Sequence, residues 1–104
     1  MQEVDTATLI RAWKSGAPVL DVREDYEYID GHVPGAQLIP LGELPARVGE
    51  VPAGDTVYVI CASGNRSKRG ATILESAGRA AVSVAGGTSA WLHAGQDVRR
   101  GPSA

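Results

Sequence analysis

The only cysteine of the chain, Cys61, stands where an apolar run ends and a stretch of small and polar residues begins. That stretch reads Ala-Ser-Gly-Asn-Arg-Ser over residues 62–67. The reactive form of a cysteine is the thiolate, and a free thiol with a pKa of about 8.5 is mostly protonated at neutral pH. If Cys61 performs chemistry, its surroundings must therefore stabilise a negative charge.

The residues after Cys61 could supply this stabilisation. Small side chains and a glycine allow backbone N–H groups to turn inward around an anion, and a helix N-terminus adds the positive end of its dipole. The dipole contributes about 0.3–1 kcal/mol, so by itself it lowers a pKa by no more than about one unit. The Ser67 hydroxyl and the Arg66 charge are the further candidates for lowering the pKa of Cys61.

Each of these residues also has a simpler structural interpretation. A lone cysteine is often a buried packing residue, and an arginine on a helix is often only solvated. The combination at one turn favours Cys61 as the nucleophile and Arg66 as a substrate-binding residue. Ser67 fits equally well as the N-terminal cap of the helix and as a hydrogen-bond donor to the thiolate.

The elements around Cys61 can be read from the hydrophobic pattern. The run "TVYVI" over residues 56–60 is apolar, β-branched and without polar alternation, which is typical of a strand buried on both faces of a parallel sheet. Residues 66–77 have helical spacing and end before Gly78. This places Cys61 at the carboxyl end of a central strand, where open α/β sheets bind their ligands.

The rest of the chain alternates short strands with helices, which predicts one α/β domain over residues 1–104 with a mostly parallel sheet. Strands are expected at 2–4, 19–22, 36–40 and 81–85. Helices are expected from Asp5 or Thr6, over 23–31 and near Gly86. Residues 41–48 are expected to form a loose turn or helix. Residues 98–104 are expected to form a flexible tail.

The composition excludes several classes of function. The 104 residues are 43% hydrophobic and carry a formal net charge of −2, so no uniform field attracts nucleic acid or an acidic membrane. No apolar run approaches the roughly 18 residues of a membrane span. One cysteine allows no internal disulfide and the first residues lack the pattern of a signal peptide, so we expect a cytoplasmic protein.

Three segments resemble the successive signatures of a single-domain rhodanese, a thiosulfate sulfurtransferase. They are "LDVREDYEYIDGHVPGAQLIP", "VYVICASGNRS" and "GGTSAWLHAG", in that order. The resemblance implies a rhodanese-like domain with helices on both faces of the sheet. It makes Cys61 the nucleophile and sulfur carrier, Arg66 a binding residue for the anionic donor, and the backbone of the intervening loop a cradle for the sulfur. The cradle residues are Ala62, Ser63, Gly64, Asn65, Arg66 and Ser67.

The reaction that this resemblance implies has two steps and uses no metal or organic cofactor. The thiolate attacks the outer sulfur of thiosulfate and sulfite leaves; cyanide or a thiol then takes the sulfur from the Cys61 persulfide. A thioredoxin-like protein is one candidate thiol acceptor. The sequence does not identify the physiological donor or acceptor.

Three other functions are considered beside sulfur transfer. In phosphatases with a similar loop, the pattern has five residues between the cysteine and the arginine. In this chain four residues separate Cys61 from Arg66. The shorter loop makes a tighter cup with one amide fewer, which suits a single sulfur better than a phosphate. The second alternative is a non-catalytic rhodanese module that binds a partner. Arsenate or disulfide reduction would need a second thiol from outside the chain.

Several other residues of the matching segments have mainly structural interpretations. Arg23 and Glu27 are spaced for an i,i+4 ion pair if their segment is helical. His32 is expected in a turn held by backbone bonds, and Trp91 is expected in the core with His93 on the surface. Thr88 stands where the family often has an aromatic residue, so the resemblance does not predict which residues form the rim of the site.

Overall fold

The computed structural model describes residues 1–53 and 55–104 and contains a five-stranded sheet. The strands are β1 (Gln2–Val4), β2 (Val19–Asp21), β3 (Gln37–Leu38), β4 (Val57–Ile60) and β5 (Ala81–Val84). The helices are α1 (Thr6–Lys14), α2 (Asp25–Asp30), α3 (Leu44–Arg47), α4 (Asn65–Ser76) and α5 (Gly87–His93), with a 3-10 turn at Val48–Glu50.

The strands lie in the order β1-β5-β4-β2-β3, and every neighbouring pair is parallel. The predicted α/β fold with a parallel sheet is therefore confirmed, and β4 is its central strand. The strand expected at 36–40 is reduced to two residues because it lies at the edge, pairs only with β2, and is followed by Pro40. Within the described residues, every helix is too short or too polar to span a bilayer.

Helices cover both faces of the sheet, as the resemblance implies. One face packs against α3 and α4 through Leu44, Ala71 and Leu74. The other packs against α1, α2 and α5 through Leu9, Tyr28 and Trp91, and Trp91 makes an edge contact with Trp13 at 5.3 Å between ring centroids. Trp91 is thus in the core and His93 is exposed, as expected.

Helix α4 has a glycine, Gly70, where it packs against the sheet. A Cβ at Gly70 would stand 3.0 Å from Val59 Cγ1 and 3.3 Å from Val22 Cγ1. The glycine therefore permits a close helix–strand approach, as small residues do elsewhere. This approach helps to place the N-terminus of α4 at the carboxyl end of β4, beside Cys61.

The segment after α5 makes defined contacts with the loop that follows α2. The backbones of His32 and Arg99 exchange two hydrogen bonds of 3.0 and 2.8 Å. The ring of His32 is fully buried, stacks on Tyr28, and has its two nitrogens 2.7 and 2.9 Å from the carbonyl oxygens of Tyr28 and Ser103. His32 thus has the structural surroundings expected for it. Whether residues 98–104 are flexible in solution stays a prediction.

Candidate active site

Cys61 directly follows β4 and is almost completely buried, with 1% of its surface exposed. Its Sγ accepts a hydrogen bond of 3.1 Å from the N–H of Gly64, the residue that caps the N-terminus of α4. Gly64 has a φ of 109°, in the region that favours glycine. The left-handed turn at Gly64 therefore bends the chain back over the sulfur and starts the helix at the same point.

The first two residues of α5, Gly87 and Thr88, contact the backbone of the cysteine loop. The N–H and Oγ1 of Thr88 donate bonds of 2.8 and 3.0 Å to the carbonyl of Cys61. A Cβ at Gly87 would overlap the Cys61 carbonyl and stand 2.7 Å from the carbonyl group of Ala62, so only glycine fits there without a backbone shift. The sequence assigned no role to Thr88; in the structure it is buried and bonds the carbonyl oxygen of Cys61.

Ser67 is the third residue of α4 and not its cap, because Gly64 takes the cap position. The Ser67 hydroxyl lies 3.5 Å from the sulfur of Cys61 and 2.8 Å from the hydroxyl of Ser83. When Cys61 is a thiolate, Ser67 can donate to it and still accept from Ser83. The structure therefore favours Ser67 as a hydrogen-bond partner of the thiol over Ser67 as the helix cap. Ser83 was not predicted, although a serine within the apolar run "AVSVA" was a visible signal.

The pKa of Cys61 is the result of opposing effects. Burial raises it, whereas the Ser67 hydroxyl and the backbone N–H groups of Ser67, Gly64 and Ser63 lower it. The hydrogen bonds outweigh burial, so the pKa of the thiol lies below its ordinary value. This agrees with the prediction of an activated thiol, with a hydroxyl and three amides as its cause.

Arg66 points its guanidinium at a carboxylate that comes from a different helix. Its two terminal nitrogens donate to the two oxygens of Glu27 at 2.7 and 2.9 Å. This bidentate bond holds the pKa of Glu27 at about 2, against an ordinary value of 4.5, and raises the pKa of Arg66. Glu27 is therefore ionised at neutral pH and tied to the arginine of the loop.

The predicted ion pair between Arg23 and Glu27 is wrong. Arg23 lies before α2, whose N-terminal cap is Glu24, so the i,i+4 spacing of a helix does not apply to it. Its Nε and Nη2 instead donate to the fully buried Asp21 at 2.9–3.2 Å, and Nη2 also donates to the carbonyl of Gly31 at 2.8 Å. A buried carboxylate needs such a partner, and Arg23 forms the salt bridge with Asp21 at the end of β2.

A cleft of about 220 Å³ opens beside the loop. It lies between α2, the start of the cysteine loop, α5 and the segment after α5. Its lining includes Glu27, Ala62, Thr88, Leu92 and Arg100. A larger groove of about 450 Å³ lies between α3 and α4, but its lining contains no cysteine, histidine or carboxylate. The smaller cleft contains Ala62, the residue that follows Cys61, together with charged side chains, and is therefore the better candidate for substrate binding.

Ser67→Ala is expected to raise the pKa of Cys61, because it removes a hydroxyl that lowers this pKa while the sulfur stays buried. The rate of alkylation by iodoacetamide, measured against pH, should rise to its plateau at a higher pH than in the wild type. At neutral pH the variant should react several-fold more slowly. An unchanged profile would show that the amides alone set the pKa; Thr72→Ala, whose hydroxyl bonds only within α4, is the matched control.

A thiol with a lowered pKa lies at the N-terminus of α4, and Arg66 follows in the first turn of that helix. Such an arrangement at the edge of a parallel sheet can bind a small anion or a sulfur atom. The chain belongs to the rhodanese-like family, since the model of the rhodanese-like domain matches residues 5–94.

Relatives of known sequence and structure agree with this assignment. A sulfurtransferase of Allochromatium vinosum is 31% identical over 101 residues, which cover 94% of each chain. A rhodanese-related protein of Thermoplasma volcanium has a TM-score of 0.88 and 33% identity, covering 95% of this chain and 98% of its own. Two relatives from Bacillus subtilis are longer: this chain spans 40% of YrkF, at 40% identity over 74 residues, and 65% of YqhL, at 37% identity over 82 residues.

Proposed function

We propose that this protein is a sulfurtransferase that carries a sulfane sulfur as a persulfide on Cys61. The observation that supports this most directly is the sulfur environment: a buried thiol whose pKa is lowered by the Ser67 hydroxyl and three backbone amides. The amides that stabilise a thiolate would also stabilise the negative charge of a persulfide, which lies one bond further out. No cofactor is needed for this chemistry.

The first step loads the enzyme. The Cys61 thiolate attacks the outer sulfur of the donor, a new S–S bond forms, and the old S–S bond of the donor breaks. With thiosulfate the leaving group is sulfite, which departs with the electron pair of that bond. With a persulfide donor the leaving group is a thiolate. In the second step cyanide or a thiol attacks the outer sulfur and Cys61 leaves as the thiolate.

The surroundings of the loop favour sulfur transfer over phosphoryl transfer. A phosphatase needs an acid to protonate the leaving alkoxide, whereas sulfite and thiolates leave without a proton. Glu27, the carboxylate bonded to Arg66, has a pKa of about 2 and is therefore ionised at neutral pH. His32 directs both ring nitrogens at backbone carbonyls. Neither group is placed to serve as that acid.

The acceptor in our proposal is a small thiol, cyanide or a thiol of a thioredoxin-like protein. A cytoplasmic location suits this chemistry because a reducing compartment keeps the thiol of Cys61 and the acceptor thiols reduced. Nucleic acid and membranes are not proposed as partners, since the formal net charge is only −2.

Incubation with thiosulfate or a small persulfide is expected to add the mass of one sulfur atom to the intact protein, as measured by mass spectrometry. Cyanide should then remove that sulfur and release thiocyanate. Protein alkylated at Cys61 beforehand is the control and should gain nothing. If the unmodified protein takes no sulfur from either donor but hydrolyses phosphoaryl esters, the phosphatase interpretation replaces this proposal. If it does neither, the non-catalytic module is the remaining interpretation.

A further inference from the structure

The charged groups in and beside the cleft balance one another. Arg66 is bonded through both terminal nitrogens to Glu27, and Arg23 is bonded to the buried Asp21. Glu27 and Arg23 line the cleft together with the charged residues Asp30 and Arg100, whereas Arg66 and Asp21 lie behind them as their partners. These three arginines and three carboxylates add up to no net charge. The cleft therefore offers an incoming anion no excess of positive charge, and the Cys61 thiolate adds one negative charge.

The arginine that would bind an anionic donor is already bonded to a carboxylate. A bidentate pair between a guanidinium and a carboxylate combines charge attraction with two aligned hydrogen bonds. Both partners are only partly exposed, with 38% of the Arg66 and 21% of the Glu27 side chain accessible. Partial burial weakens the screening by water. A dianion that needs Arg66 must therefore compete with a carboxylate already in place.

Glu27 is also held by a hydrogen bond from its own helix. Its Oε1 accepts a hydrogen bond of 3.1 Å from the N–H of Glu24, which closes the capping box of α2. This bond orients the carboxylate at the first turn of the helix, facing the loop that carries Arg66. Release of Arg66 would thus leave Glu27 where it stands, as an ionised carboxylate in the lining of the cleft.

We infer that Glu27 determines the charge selectivity of the site: it disfavours dianionic donors such as thiosulfate and leaves hydropersulfides, R–S–SH, as the preferred donor class. This inference rests on the proposed sulfur transfer. In the favoured reaction the Cys61 thiolate attacks the outer sulfur of R–S–SH, the S–S bond breaks, and R–S⁻ leaves with its electron pair. The outer sulfur keeps its hydrogen, so Cys61–S–SH forms and the total charge is unchanged. No oxidant or reductant is consumed.

Glu27→Gln tests the inference with the least change of shape, because the amide oxygen can still accept from Glu24 while the negative charge is removed. The first measurement compares alkylation of Cys61 by iodoacetate and iodoacetamide, which are of similar size and differ by one negative charge. The ratio of the iodoacetate rate to the iodoacetamide rate should rise about tenfold in the variant at low salt, and less at high salt. This ratio does not depend on any sulfur transfer.

The second measurement compares sulfur loading from thiosulfate and from 2-hydroxyethyl hydropersulfide, whose only ionisable group is the persulfide itself. Wild type should prefer the hydropersulfide, and Glu27→Gln should accelerate loading from thiosulfate about tenfold with little change for the hydropersulfide. Asp30→Asn removes a charge from the same lining, but Asp30 is not bonded to Arg66, so its effect should be clearly smaller. Glu43→Gln, which breaks the exposed pair with Arg47, should change neither rate.

The outcomes separate the two proposals. Loading from both donors with an unchanged alkylation ratio in Glu27→Gln overturns the role of Glu27. Loading of the wild type by thiosulfate at least as fast as by the hydropersulfide overturns the donor class. A raised alkylation ratio without loading from either donor supports the electrostatic role of Glu27 and overturns the sulfurtransferase function itself. Circular dichroism and thermal unfolding verify that each variant is folded.

Discussion

Cys61→Ser is expected to lose sulfur transfer by more than ~10³-fold while it keeps the wild-type fold. The hydroxyl is close to the thiol in size and can take over the hydrogen bonds with Gly64 and Ser67. A serine hydroxyl is a poor nucleophile without a base, however, and the ring nitrogens of His32 are directed at carbonyl oxygens. Sulfur loading by mass spectrometry and thiocyanate release measure the loss, and chemical denaturation verifies the fold.

A matched comparison separates the nucleophile from its surroundings. Ser83→Ala alters the hydroxyl behind Ser67 but leaves the sulfur, so it should keep a measurable rate with a changed pH profile. Cys61→Ser should have no rate at any pH. If Cys61→Ser still transferred sulfur at a rate near that of the wild type, the persulfide on Cys61 would be disproved, because the chain has no other thiol.

Arg23→Met is expected to lower the free energy of unfolding by about 3–5 kcal/mol, the usual cost of breaking a buried ion pair on one side. The substitution keeps most of the aliphatic volume of Arg23 but removes three hydrogen bonds to the carboxylate of Asp21 and one to the carbonyl of Gly31. The carboxylate of Asp21 is completely buried and would be left with only the backbone N–H of residue 23 as donor. Urea denaturation measures the loss.

The double variant Asp21→Asn with Arg23→Met is the control for this prediction. It removes the charge that Arg23→Met leaves behind, so it should recover a substantial part of the lost stability. A double-mutant cycle gives the coupling between the two positions directly. If Arg23→Met cost less than about 1 kcal/mol, the value typical of an exposed pair, the pair would not have the structural role that its burial indicates.

The local sequence was sufficient to place the candidate nucleophile in the fold. An apolar β-branched run followed by small residues, glycine and a helical pattern predicts a thiol at the carboxyl end of a buried strand, and Cys61 lies there, directly after β4. Strand, turn and helix depend mostly on residues that are close in sequence. One example is the turn at Gly64, whose positive φ favours glycine at that position. The same local rule failed for Arg23, since it assumed a helix that begins only at Asp25.

The sequence by itself determined the class of fold, the position of the candidate nucleophile at the end of β4 and the four-residue spacing between Cys61 and Arg66. Only the tertiary structure decided which groups meet around them. Glu27 reaches Arg66 from 39 positions away, Thr88 holds the carbonyl of Cys61 from 27 positions away, and Ser83 supports Ser67 from the next strand. These partners meet because parallel strands bring distant loops to one edge of the sheet, and because charges withdrawn from water must find a partner wherever the fold places one.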